Sequence, residues 1–181
     1  MKGTGTTAVV TCHNYAGYLA DCLDSLLRQT VPFDEILLVD DASSDGTYEL
    51  WFSRYRDRVR YERIEARDPM AARNHGVNLA PGEFLVCVDA DDWLSPFYHE
   101  KLSAALSADP RLAIAYCGMH LVREGNQSWF FHKEHPMIPF RPEFLKVHNF
   151  IPNAALLRRK AWRGAKRSYG ALLPDGRRYG E

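Results

Sequence analysis

Phe84-Leu85-Val86-Cys87-Val88-Asp89-Ala90-Asp91-Asp92 runs an apolar segment directly into three carboxylates. The apolar part has the length and composition of a buried strand. The carboxylates at its end bring like charges together, which is costly unless a cation sits among them. A divalent metal is the simplest such cation, and hard oxygen ligands suit Mg²⁺ or Mn²⁺. A metal of that kind keeps positions open for the phosphates of a substrate. An acidic turn capping the helix after Pro96 would leave the same pattern. On its own the stretch fits either reading.

Upstream of it, strands and helices alternate. Ala8 to Cys12 reads as a buried strand, and Tyr15 to Gln29 as a helix with Leu19, Leu23, Leu26 and Leu27 at helical spacing. Glu35 to Asp40 is a second strand. Asp45 to Tyr55 is a second helix, with Ser43, Ser44 and Asp45 offering N-cap oxygens. Val59 to Ile64 is a third, more polar strand. Asp68 can cap a third helix that has Pro69 in its first turn and runs to about Leu79, where Pro81-Gly82 follows. This alternation predicts parallel βαβ units, with helices on both faces of a mostly parallel central sheet.

Downstream the pattern loosens. Phe97 to Ala108 reads as a helix, Leu112 to Val122 as a strand, and Trp129 to His132 as another. Asn153 to Arg159 reads as a strand leading into a short helix at Lys160. We expect a single α/β domain over 1–181, with a nucleotide-binding half at 1–95 and a less regular half at 96–181 that shapes a second pocket.

Composition narrows the classes. Hydrophobic residues make up 46% of the 181, charged residues 25%, and the formal net charge is +0, so nothing global points to nucleic acid. No apolar run approaches a membrane span, and the N-terminus lacks the apolar stretch of a signal peptide. Cys12, Cys22, Cys87 and Cys117 lack metal-site spacing and read as buried free thiols. A cytoplasmic location is expected.

Ligands of open α/β sheets bind at the carboxyl ends of the strands. After the first strand come Thr11, Cys12, His13, Asn14 and Tyr15. After the second come Asp40 and Asp41. The third helix carries Arg73 and Asn74, and the fourth strand ends in Asp89-Ala90-Asp91-Asp92. That set suits a nucleoside diphosphate. Asp41 can accept from a base N–H, Tyr15 can stack on a base, and Arg73 can hold a phosphate or position a carboxylate. The last aspartates can hold a ribose hydroxyl and a metal. Neither a G-x-G-x-x-G nor a P-loop is present.

Four ordered blocks resemble the family-2 inverting glycosyltransferases of GT-A fold. They are Thr11-Cys12-His13-Asn14-Tyr15 through Thr30, Ile36 to Thr47, Ala71-Ala72-Arg73-Asn74-His75-Gly76, and Gly82 to Trp93. The likeness is close over about residues 6–120 and looser through 153–162. Ala42 stands where a glycine is common, and Asp68-Pro69 where the helix is usually entered through glycine. The resemblance implies transfer of a hexose-type sugar from a nucleoside-diphosphate donor, most often UDP-linked, to a glycan or lipid-linked acceptor hydroxyl. Inversion at the anomeric carbon and a D-x-D-held Mg²⁺ or Mn²⁺ go with it. On that pattern Asp41 contacts the base, Asp89 the ribose and Asp91 the metal, with Asp92 as a second metal contact. Thr11, His13, Asn14, Tyr15, Arg73 and Ala90 complete the donor-binding set. The general base is usually the aspartate of a Glu-Asp pair. Glu181 matches that glutamate, so the base is expected just beyond it, and a chain lacking it would bind donor but transfer poorly.

Other residues carry weaker readings. His120, His132, His135 and His148 lack metal-site spacing. Trp93 is expected to pack beneath the acidic cluster. Trp129, Phe130 and Phe131 suit a hairpin or an acceptor platform. The basic stretch from Arg158 to Arg178 reads as a solvated face, or as a peripheral contact with an anionic membrane or glycan. Two other functions compete: a non-catalytic donor-binding fragment, and a sugar-nucleotide pyrophosphorylase. The second wants a glycine-rich basic loop after the first strand, which Thr11 to Ala16 does not supply.

Overall fold

The structure is a computed structural model and describes residues 5–125, 128–135, 140–145 and 151–164. The amino-terminal part alternates β1 (Thr6–Cys12), α1 (Ala16–Leu27), β2 (Glu35–Asp41), α2 (Thr47–Arg54), β3 (Arg60–Ile64), α3 (Pro69–Leu79), β4 (Phe84–Asp89) and α4 (Tyr98–Ala108). Then follow β5 (Ile114–Ala115), β6 (Met119–Gly125), β7 (Ser128–His135), α5 (Pro142–Leu145), β8 (Leu156–Arg158) and α6 (Arg159–Gly164). The main sheet has six strands in the order β3-β2-β1-β4-β8-β5. The first four are parallel, while β8 runs antiparallel to both β4 and β5.

Strand side chains alternate between faces, and β1 shows what that does here. Ala8, Val10 and Cys12 join Leu38, Val86 and Val88 beneath α1 and α4. Val9 joins Leu37, Val39, Leu85 and Cys87 on the other face, against Ala72 and Val77 of α3. Both faces are buried, so the central strands read as continuous apolar runs rather than alternating ones. Each fully buried Leu or Val adds roughly 1.5–3 kcal/mol of favourable transfer.

Helix α3 lies unusually near the sheet. A Cβ at Gly76 would stand 2.3 Å from Val9 Cγ1 and 3.0 Å from Val39 Cγ2. Only hydrogen fits there, which sets the height at which α3 carries its other residues. The Asp68 cap forms as expected, its carboxylate accepting from the Met70 and Ala71 amides.

Three expectations change. The apolar run Leu112 to Val122 is not one strand: the chain leaves the main sheet after Ala115 and enters the β6–β7 hairpin at Met119. Apolarity reports burial, not which strand is the pairing partner. Helix α2 takes Gly46 as its N-cap, at φ 91°, with Asp45 bonding Thr47 instead. Helix α4 has Phe97 at its N-cap with no side-chain bond, so the acidic stretch before it is not a helix cap. Trp129 to Phe131 do lie in a hairpin strand. Among the described residues no helix is long and apolar enough to cross a membrane.

Candidate functional site

Strands β1, β2 and β4 end side by side, with Thr11 paired to Asp89 and Cys12 to Asp40 in register. Their ends and the start of α3 enclose a cleft of about 360 Å³. Of the residues singled out in the sequence, Thr11, His13, Tyr15, Asp41, Arg73, Asp89, Ala90 and Asp91 line it.

Asp89 is the hub. The Arg73 Nη2 donates to both of its oxygens, at 2.6 and 2.9 Å, and Thr11 Oγ1 donates to Oδ1 at 3.1 Å. Asn153 Nδ2 donates to Oδ2 at 3.3 Å. Charge-assisted bonds of this kind hold a carboxylate in one orientation. The expected pairing of Arg73 with a carboxylate is thus made across the strand end, and the arginine remains on the cleft wall.

Asp41 is held differently. Its Oδ1 accepts from the Arg67 amide and Oδ2 from the Asp68 amide, both at 2.7 Å, and the residue is 2% exposed. Each carboxylate oxygen has a second lone pair, so contact with a base N–H stays open to it. Asp40 beside it is wholly buried. It accepts from Ser43 N at 2.9 Å, Tyr61 Oη at 2.5 Å and Arg63 Nη1 at 3.0 Å. Ala42 follows at φ 62°, a left-handed backbone that explains why glycine suits this position.

After β1, His13 Nδ1 donates to the Asp41 carbonyl, and Asn14 Nδ2 donates to His13 Nε2 at 3.2 Å. The two bonds assign the Nδ1–H tautomer. Asn14, at φ 59°, turns toward the neighbouring loop: its amide reaches Ser43 Oγ and its Oδ1 takes the Ser44 amide. It braces that loop more than it lines the cleft. Tyr15 is 41% exposed and leans on Tyr18, with 5.9 Å between ring centroids. Cys12 is buried beside Thr47, and burial pushes its thiol above the ordinary range.

The loop after β4 carries unneutralised charge. Among the described residues no donor bonds the Asp91 or Asp92 carboxylates. The Asp92 amide closes a turn onto the Asp89 carbonyl at 2.9 Å. Its carboxyl is pushed up to about 6, first by loss of water around it and then by the charges of Asp89 and Asp91. Trp93 is 46% exposed rather than packed beneath the cluster.

The described residues form no ready cluster of three metal ligands. Two adjacent unpaired carboxylates still fit Mg²⁺ or Mn²⁺, which commonly take one or two carboxylates and fill the remaining positions with substrate phosphates and water. Arg67, at φ 52°, is exposed on the cleft wall and was not singled out from the sequence. A lone loop arginine carries no signal beyond a surface charge. Arg158 corrects another expectation. It is 7% exposed and bonds the Leu112 and Leu106 carbonyls and Glu83, so the basic stretch begins in the interior. Glu181, His148 and residues 165–181 lie outside the described residues.

A family model described as "Glycosyl transferase family 2" matches residues 7–164. Glycosyltransferase GlyA of Streptococcus pneumoniae is 34% identical over 128 residues, which are 70% of this chain and 18% of that protein. The crystal structure of Staphylococcus aureus TarS 1-349 in complex with UDP-GlcNAc superposes with a TM-score of 0.70 at 21% identity. It covers 92% of this chain and 48% of that one. A mannosyltransferase from Pyrobaculum calidifontis, in complex with GDP-Man and Mn²⁺, superposes at 0.55 with 28% identity, over 64% of this chain and 35% of that one. The chain therefore spans less than half the length of each of these relatives. The sheet order and the helices on both faces are those of the α/β GT-A fold.

Proposed function

The chain belongs to glycosyl transferase family 2, and we propose that it binds a UDP-linked sugar and transfers the sugar, with inversion, to the hydroxyl of a glycan or lipid-linked acceptor. One observation carries the reading: a single cleft joins the Arg73–Asp89 pair to Asp91, with the equally unpaired Asp92 on the same loop. That is a site with one fixed carboxylate for a neutral hydroxyl and two free ones for a cation.

The roles follow from position. Asp89, held by Arg73 and Thr11, accepts from a ribose hydroxyl. Asp41 accepts from the base N–H, and Tyr15 lies along the base. Arg73 and Arg67 face the diphosphate from the α3 side of the cleft. Asp91 and Asp92 would hold Mg²⁺ or Mn²⁺, which when bound stabilises the leaving diphosphate as a Lewis acid. The acceptor hydroxyl needs a carboxylate to take its proton. The described carboxylates of the cleft are committed to the donor, to the metal or, for Asp68, to the cap of α3, so the base is assigned to the region around Glu181. The UDP preference draws support from the UDP-GlcNAc complex of TarS, and the use of a metal from the Mn²⁺ of the mannosyltransferase.

Calorimetric titration of UDP with and without Mn²⁺ tests this. Mn²⁺ is expected to tighten UDP binding about 100-fold, equivalent to about 2.7 kcal/mol. Asp91→Asn is expected to abolish that increment while leaving metal-free affinity unchanged. UDP affinity that ignores Mn²⁺ would overturn the metal assignment, and tighter binding of GDP than of UDP would overturn the uridine one.

A further inference from the structure

Asp89 receives one bond from outside the parallel half of the sheet, and it comes from Asn153. The pairing of β4 with β8 explains how. Leu85 faces Leu157 and Phe84 faces Arg158 in antiparallel register. Carrying that register four residues toward the end of β4 places Asn153 opposite Asp89. A parallel β8 would have put its first residues at the opposite end of the sheet, far from the strand ends.

The approach is fixed rather than incidental. The Ala155 amide closes a turn onto the Pro152 carbonyl at 3.1 Å, and the Tyr98 hydroxyl donates to the Ala154 carbonyl. Ala155 and Leu156 are buried in the core beneath that turn. Asn153 itself is exposed, and its side-chain amide reaches the Oδ2 of Asp89, a residue that lines the cleft. It is also a neutral donor on an oxygen that a charged arginine already holds. That adds direction without adding charge.

We propose that Asn153 is a positioning residue for the donor: by fixing the Oδ2 edge of Asp89 it aims the carboxylate at a ribose hydroxyl, and so sets selectivity for ribose over deoxyribose. The inference rests on the ribose role proposed for Asp89. Loss of Asn153 leaves Oδ2 to Arg73 alone, so the carboxylate can pivot about the Arg73 bonds, and a misdirected acceptor loses its preference before it loses its charge. Isosteric Asn153→Asp removes the donor and sets a like charge against Asp89, so it acts in the same direction and further.

The test measures Kd for UDP, 2′-deoxy-UDP and 3′-deoxy-UDP in the presence of Mn²⁺, for the full chain and for Asn153→Ala and Asn153→Asp. The unaltered chain is expected to bind UDP at least ten-fold more tightly than one of the deoxy analogues. In Asn153→Ala that ratio is expected to fall at least three-fold, and in Asn153→Asp further, with melting temperatures in the absence of ligand kept within a few degrees. A uniform loss of affinity with the ratio unchanged would reduce Asn153 to a structural role and overturn the inference, as would two variants that behave like the parent. Failure of the parent chain to bind UDP, or to discriminate at all, would instead strike the ribose reading on which the inference stands.

Discussion

Strands β2 and β4 both end in aspartates on the same edge of one sheet, yet the chain itself occupies the two ends to very different extents. At β2 the protein occupies all four carboxylate oxygens: Asp40 is met by Ser43, Tyr61 and Arg63, and Asp41 by two backbone amides. At β4 only Asp89 is held, while Asp91 and Asp92 are exposed. Asp40, buried among its partners, is scaffold; Asp41 and Asp89 are aimed by their partners and keep lone pairs for a ligand; Asp91 and Asp92, which no described donor meets, are free to serve a cation. Residue type alone does not separate them.

The largest break of that contrast is Asp40→Ala. It strands the Ser43 amide and the Tyr61 hydroxyl in the interior, and is expected to cost about 3 kcal/mol in urea unfolding. A loss under about 1 kcal/mol would show that the β2 end is not the scaffold described.

Asp92 carries the opposite expectation. Its folded-state value of about 6 lies above the ordinary 3.8, so the fold favours the protonated form. With no metal added, this group contributes most below about pH 4, loses that contribution as pH rises toward 6, and changes little above. Asp92→Asn, neutral throughout, is expected to raise the melting temperature by about 2–4 °C at pH 7.5, near 1 kcal/mol once solvent screening is allowed for. At pH 4 it is expected to do nothing. A destabilised variant at pH 7.5 would mean that the β4 end is held together by its charges.

The smallest effect belongs to Ala42→Gly. It relieves a left-handed backbone next to the scaffold end, but gives up a buried methyl and adds freedom to the unfolded chain. The net gain is expected to be about 0.5 kcal/mol. A loss of stability on that change would place the strain elsewhere in the loop.

The parallel half was legible because burial on both faces imposes uninterrupted apolar runs, and because Asp68-Pro69 and Pro81-Gly82 punctuate α3. The residues around the cleft were legible through the same ordering, since strand ends converge whenever strands are parallel. What sequence did not show depends on pairing partners. Nothing in Asn153-Ala154-Ala155-Leu156 says that β8 runs backwards between β4 and β5, and so in sequence Asn153 marks only the start of a strand. The break between Ala115 and Met119 was hidden for the same reason. The occupation of Asp41 by two amides was equally invisible, because backbone donors leave no mark in residue identity.

The insertion of β8 next to β4 has a consequence for how the chain reaches this state. Phe84 pairs with Arg158, so the flank of β4 away from β1 waits for residues synthesised long after it. During that interval Leu85, Val86, Cys87 and Val88 present an apolar strand with an open edge, the arrangement most prone to pair with another chain. Long-range closure of this kind is slow compared with the assembly of neighbouring βαβ units. A nascent chain would thus have its cleft-lining residues through Asp91 in place while its sheet is still unsealed, and β8 acts as the closing stave that ends the period of exposure.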